Sequence, residues 1–220
     1  RPSLLVQFNG RSIVIDTSPD FRFQALRSAL KRLDAVLYTH SHADHILGLD
    51  DLRPFNMKQR DAIPLFANRE TLAAIRRTFS YAFGHSTPDS TVPEVRLEEI
   101  DGPFELFGLT VQPVPVLHGS MEVLGFRFGQ AAYVTDFSQI AQASRERLRG
   151  LDLLVLDALR ETPHPMHSSL SESLELVREL KPRRAYFTHI CHDLGHAETN
   201  ARLPAGVELA YDSLVVDVEL

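Results

Sequence analysis

The sequence predicts a mixed α/β chain whose sheets are covered by helices. Three observations carry that expectation. Short apolar runs alternate with amphipathic stretches from end to end. Leucines recur at helical spacing between those runs. Asp and His collect directly after the predicted strands, where α/β folds gather their functional groups.

The elements follow in order. "SLLVQF" and "SIVID", separated by Asn9-Gly10-Arg11, read as a β-hairpin. "FRFQALRSALKRL" places Leu26, Leu30 and Leu33 at i, i+4, i+7 and predicts a helix. "AVLYT" (35–39) and "IPLFA" are buried-strand candidates, and a helix follows near 69–79 on Leu72, Ile75 and Phe79. Residues 84–95 are a loop by composition, with His85 solvated in it. "LTVQPVPVLHG" is extended, and its prolines predict an edge or irregular strand. "EVLGFRFG" and "AAYVTD" form a strand pair, a helix follows near 138–149, and "LDLLVLD" is the next strand. "SLSESLELVREL" is a helix with Leu170, Leu174 and Val177 on one face. Ser169 and Glu172 form its capping box, and Lys181-Pro182 ends it. Strands "AYFT", "VELAY" and "LVVDV" close the chain. No repeat or linker interrupts this, so 1–220 is expected to be a single domain.

Composition narrows the function classes. A hydrophobic content of 44 % over 220 residues supports a sizeable core. The net charge of −6 argues against a nucleic-acid binder held by a broad basic surface. No apolar run reaches membrane-span length, so no membrane partner is expected. One cysteine, Cys191, excludes an internal disulfide framework and predicts a reducing, cytoplasmic setting. The chain opens at Arg1-Pro2-Ser3 without Met, and a natural chain extending further is expected.

The chemistry lies at the strand ends. Asp16, His40-x-His42-x-Asp44-His45, His118, Asp136, Asp157 and His189 each follow an apolar run. Imidazole and carboxylate are the usual donors to Zn²⁺, and Mn²⁺ accepts them too. His40 and His42 alternate, so both rings face one way in extended backbone. A single His or Asp at a strand end is ordinarily a satisfied polar residue. Four donors within six positions are not, and that cluster lends weight to His118, Asp136 and His189. Seven donors imply two divalent ions, with Asp136 the natural bridge. Asp16 is expected to orient the histidine loop.

"THSHADH", "LHG" at His118, "VTD" at Asp136 and "THI" at His189 together resemble the metallo-β-lactamase fold superfamily. The resemblance implies an αββα four-layer sandwich, here without the Gly-rich first strand and loop usual in such families. It implies that His40, His42 and His118 hold one ion and that Asp44, His45 and His189 hold the other. Asp136 and a hydroxide bridge them, and Asp44 counts as a catalytic group as well as a ligand. The commonest true β-lactamases have Cys where this chain has Asp136, so antibiotic hydrolysis is not expected.

The stretch from "DALRETPHPMHSS" to "THICHDLGH" resembles the cyclic phosphodiesterase of the carbon–phosphorus lyase pathway and, more loosely, the tRNA 3′-processing endonuclease. Both imply a general-acid His about two dozen residues before the last ligand. His167 precedes His189 by 22 positions, and Asp157 takes the place of its orienting carboxylate. His164 is the rival acid. The endonuclease's tRNA-clamping arm has no room in the 18 positions between His118 and Asp136.

The expected function is therefore hydrolysis of a small, cyclic phosphodiester such as a ribose 1,2-cyclic phosphate, with Zn²⁺ or Mn²⁺. Arg22 and Arg160 are candidate phosphate contacts; the related families are often homodimers, but the sequence itself shows no interface. A tRNA-processing enzyme, a thioester or lactone hydrolase and a non-catalytic scaffold are the rivals. In the phosphonate-pathway enzymes a His at the position of His192 joins an N-terminal Cys cluster on a structural zinc. That cluster is absent from this chain, leaving His192 and His196 without an assigned role.

Overall fold

The computed structural model describes residues 2–84 and 91–219. His85 and half of the loop predicted around it lie outside the described residues. The chain divides into two compact units, Arg1–Asp101 and Gly102–Leu220. Each carries one sheet with its own helices.

The first unit holds a sheet of order β1-β2-β3-β4-β5. β1 (Leu4–Phe8) and β2 (Arg11–Ile15) are the predicted hairpin, closed by Asn9 and Gly10 at φ 46° and 74°. Two successive positive φ values are what a tight twisted hairpin demands, and Asn-Gly supplies them at least cost. β3 (Ala35–Leu37), β4 (Ile63–Ala67) and β5 (Val95–Glu99) follow in parallel. β5 was not predicted, because "VRLEE" is charged and only half-buried.

The helices of this unit are α1 (Phe21–Arg27), α2 (Ala43–Ile46), α3 (Arg53–Gln59), α4 (Arg69–Thr78) and α5 (Ser80–Phe83). α1 is shorter than the leucine spacing predicts. Ala29 turns left-handed, Leu30 N–H bonds the Ala25 carbonyl and Ala29 N–H bonds Leu26. This is a Schellman closure, and it stops the helix at Arg27. Leu26 is consequently 68 % exposed, whereas Leu33 reaches the core from the following loop. α4 matches its prediction, with Leu72 and Ile75 buried and Phe79 just beyond its end. They pack with Val14, Val36, Leu65 and Leu49 in the core of this unit.

The second unit holds a sheet of order β12-β11-β10-β9-β8-β7-β6. β6 (Phe104–Leu106), β7 (Leu109–His118), β8 (Met121–Phe128) and β9 (Ala131–Val134) are antiparallel neighbours. β10 (Leu153–Asp157), β11 (Arg184–Thr188) and β12 (Val207–Leu209) continue in parallel. β7 is not an edge strand, yet the proline rule holds locally. β6 covers only Leu109–Val111, and the Pro113 and Pro115 carbonyls accept bonds from Arg147 and Ser144 side chains. Those carbonyls point away from β8, so the missing proline N–H groups cost no ladder bond.

α6 (Gln142–Arg147), α7 (Leu170–Leu180) and α8 (His196–Asn200) complete this unit. α6 starts late because Ser138 and Gln139 bridge back to Leu117. α7 has the predicted capping box, and Lys181 ends it in a left-handed conformation. "LVVDV" is not a strand: Ser213 turns at φ 69°, Leu214 N–H bonds Tyr211, and Val215 is left 84 % exposed. Apolar alternation cannot make a strand where the turn leads the chain away from a pairing edge. No helix of the described residues is long and apolar enough to cross a membrane.

Candidate metal centre

Strand register decides which side chains meet. In the first unit Ile15 pairs with Leu37, so Asp16 and the Tyr38–His40 segment leave the sheet at one level. The Asp16 carboxylate is fully buried and takes three bonds from the histidine loop. Thr39 N–H donates to Oδ1 at 2.8 Å, the Thr39 hydroxyl donates to Oδ2 at 2.8 Å, and His45 Nδ1 lies 2.8 Å from Oδ2. A carboxylate only accepts, so His45 carries its proton on Nδ1 and keeps Nε2 as a donor atom for a metal.

Thr39 extends this logic to His40. Its hydroxyl proton is on Asp16, so its oxygen accepts from His40 Nδ1 at 3.0 Å. The His40 and His42 rings lie 4.6 Å apart, His40 and His45 lie 4.1 Å apart, and Asp44 Oδ2 is 3.5 Å from His45 Nε2. His42 opens the short α2, which swings Asp44 and His45 back toward His40.

Gly48 lets the loop return. A Cβ there would overlap the Ser18 carbonyl and sit 2.7 Å from Phe21 Cβ, and Gly48 N–H bonds Thr17 at 2.9 Å. Beneath, Tyr38 and Thr17 share a 2.7 Å hydroxyl contact. Burial pushes the Tyr38 phenol well above its ordinary value.

In the second unit, β7, β9, β10 and β11 all end at one sheet edge, since two antiparallel steps restore β7 to the direction of β9. That edge presents His118, Asp136, Asp157 and His189. His118 Nδ1 donates to the Met166 carbonyl at 2.7 Å, which again leaves Nε2 for a metal. Asp136 accepts from the Thr135 hydroxyl at 2.6 Å, and its Oδ2 is 3.3 Å from His189 Nε2. His167 Nδ1 lies 3.1 Å from Asp157 Oδ2, and its ring stacks on His189 at 4.9 Å. Burial raises the Asp157 carboxyl above its ordinary value, opposed by the His167 hydrogen bond. Asp16, Asp136 and His189 all have positive φ, at 61°, 52° and 56°. Left-handed backbone is costly for such residues, and it concentrates where function constrains geometry.

The donor set fits divalent ions. Within the second unit, His118, Asp136 and His167 each offer a ligand atom within 4.8 Å of the others, as do Asp157, His167 and His189. Within the first, four nitrogen and oxygen donors share one loop.

The other predicted residues fall outside these clusters. Arg22 is exposed on α1 and lines a groove with Lys31 and Lys58. Arg160 donates to the Thr162 and Pro163 carbonyls, clamping its own loop. His192 is exposed beside Asp193, and His196 donates to the Leu209 carbonyl as a local brace. Sequence reasoning assigned no role to Thr39 or Met166. Thr39 stood inside the quoted motif, but a backbone carbonyl such as that of Met166 leaves no residue-type signal.

Residues 11–190 match the Beta-lactamase superfamily domain. A crystal structure of a diphosphatase from the PhnP family superposes with a TM-score of 0.93 at 50 % identity, covering 100 % of this chain and 85 % of that one. The octanoyltransferase of Porphyromonas gingivalis (strain ATCC BAA-308 / W83) is 36 % identical over 219 residues, 97 % of this chain and 44 % of that protein. A ribonuclease Z of Bradyrhizobium diazoefficiens is 31 % identical over 135 residues, 60 % of this chain and 44 % of that protein. The chain spans less than half the length of these two curated relatives. The superfamily match covers both donor clusters, from Asp16 to His189. On its motifs, its fold elements and that match, the chain belongs to the beta-lactamase superfamily.

Proposed function

We propose that the chain is a metal-dependent hydrolase of small phosphodiesters. His40, His42, Asp44, His45, His118, Asp136 and His189 would hold two divalent ions, Zn²⁺ or Mn²⁺. This ligand set follows from the family resemblance of the sequence motifs. Such ions supply Lewis acidity and a water acidified enough to act as nucleophile near neutral pH.

One observation carries the ester class: the His167–Asp157 pair. A phosphodiester expels an alkoxide, which needs a proton. Asp157 holds His167 through Nδ1 and leaves Nε2 as the face that gives up a proton. The Asp157 carboxylate accepts from Nδ1–H and stabilises the imidazolium by its charge. Asp16 and Thr39 hold the histidine loop rigid and set its tautomers.

A small substrate is favoured by the short stretch between His118 and Asp136. It is filled by β8 and β9 and carries no arm. The diphosphatase named at 50 % identity favours a second substrate form, a diphosphate, on the same groups. The deciding experiment is hydrolysis of a five-membered cyclic ribose phosphate, beside a diphosphate diester, with added Mn²⁺ or Zn²⁺. Turnover that collapses in Asp136→Ala supports the proposal. A protein that loads two metals yet leaves both substrates intact overturns it.

A further inference from the structure

The loop between β10 and α7 carries a histidine that the proposed chemistry does not use. Met166 sits between two imidazoles. Its carbonyl accepts from His118 Nδ1 at 2.7 Å, and its N–H donates to His164 Nδ1 at 3.2 Å. A carbonyl has no proton to give, so His118 bears its proton on Nδ1. A backbone N–H has no lone pair, so His164 Nδ1 is bare and the neutral ring's proton is on Nε2. One residue therefore sets opposite tautomers on two histidines.

His164 cannot be the general acid in this state. Losing the Nε2 proton would leave an imidazolate, and charging the ring needs a proton on Nδ1, where the Met166 N–H already points. Burial, then the nearby His167 and Arg160 charges, also hold this imidazole below its ordinary value. His164 is a neutral donor, and no hydrogen bond among the described residues uses its Nε2.

Its position is preset. Pro163 and Pro165 flank it, and a residue before proline is confined to extended backbone. Arg160 ties down the Thr162 and Pro163 carbonyls at 3.1 and 2.9 Å. Leu159 N–H bonds Ser168 at 2.9 Å and closes the loop's stem. Gly119 packs under Met166, where a Cβ would meet the methionine Cε at 2.7 Å. The half-buried His164 ring is held 5.1 Å from the His167 ring.

We propose that His164 is a substrate-binding residue whose Nε2–H donates to a non-bridging phosphoryl oxygen of the ester protonated by His167. This rests on the phosphodiesterase reading above. A neutral donor at His164 beside the charged donor at His167 suits one phosphoryl group, since its oxygens are closely spaced and each accepts.

The test has two parts. First, ¹⁵N NMR of the metal-loaded protein reads the His164 tautomer, and inorganic phosphate is titrated in as the probe. A proton on Nε2 that shifts on phosphate binding is expected. A proton on Nδ1, or no phosphate response at His164, overturns the proposal even if no ester is ever turned over. Second, kinetics on the cyclic ribose phosphate compare His164→Asn with His164→Gln. Asn keeps an acceptor for the Met166 N–H but loses the distal donor, whereas Gln restores a donor there. We expect Asn to raise KM about tenfold, with kcat within about threefold, and Gln to recover most of it. Equal loss in both variants, together with loss of the His118 Nδ1 proton signal, would make His164 a loop brace only. An unchanged KM in Asn also sinks the idea. If phosphate shifts His164 but no phosphodiester is cleaved, the binding role stands and the substrate class fails.

Discussion

The Asp16 carboxylate lies 2.8 Å from His45 Nδ1, with both side chains fully buried. This contact helps join the turn after β2 to the histidine loop after β3 and fixes which nitrogen of His45 carries the proton. Replacing Asp16 by Asn keeps the size and tolerates the positive φ, but offers an amide N–H where the ring needs an acceptor. Metal affinity should fall by about 10–100-fold with the fold retained. Chelator competition with metal analysis checks this, and unchanged affinity would mean the contact is merely structural.

Asp157 bears on His167 in a separable way. Asp157→Asn preserves shape but removes the charge that stabilises the imidazolium. Turnover should drop by about 10²–10⁴-fold while bound metal stays at the wild-type level. Metal content and rate are measured on the same sample. Metal loss in step with activity would reassign Asp157 to the metal-holding set.

Gly48→Ala tests how closely the loop docks. Its Cβ would collide with the backbone carbonyl of Ser18, which cannot swing aside as a side chain can. Destabilisation of about 1–3 kcal/mol is expected, read from urea unfolding, along with weaker metal binding. A fully stable variant would show that the loop's return path has slack.

Asp34 governs acid stability of the first unit. Burial pushes its carboxyl up, but the Ser12 N–H and the Arg11 and Arg32 side chains outweigh burial and hold it below its ordinary 3.8. A depressed carboxyl contributes stability that is complete above its unfolded value and lost as pH falls through its folded one. Asp34→Asn should therefore cost about 1–3 kcal/mol near neutrality, with the gap to wild type closing below about pH 4. Denaturant melts of both proteins across that range give the answer; a pH-independent gap would contradict it.

The legible parts of this molecule are those written in periodicity and residue type. Leu72, Ile75 and Phe79 predicted α4, Ser169 with Glu172 predicted the start of α7, and the bunched histidines marked one donor cluster. Elsewhere the local pattern was misleading. Leu26 and Leu30 continue a helical spacing through the point where Ala29 turns left-handed, and "LVVDV" alternates without an edge to pair with. β5 and β6 escaped because half-buried strands carry charge and give no apolar run.

By itself the sequence determined the types of the candidate donors, their order along the chain and their place after strands, because those depend only on composition and local pattern. The tertiary structure decided the protonation pattern. Asp16 and the Met166 carbonyl each meet an imidazole distant in sequence, and Thr39, its own proton committed to Asp16, meets the neighbouring His40; each assigns a proton by being able only to accept there. A histidine's residue type shows that it has two nitrogens; only the partner brought to one of them by strand register and loop closure determines what the other can do.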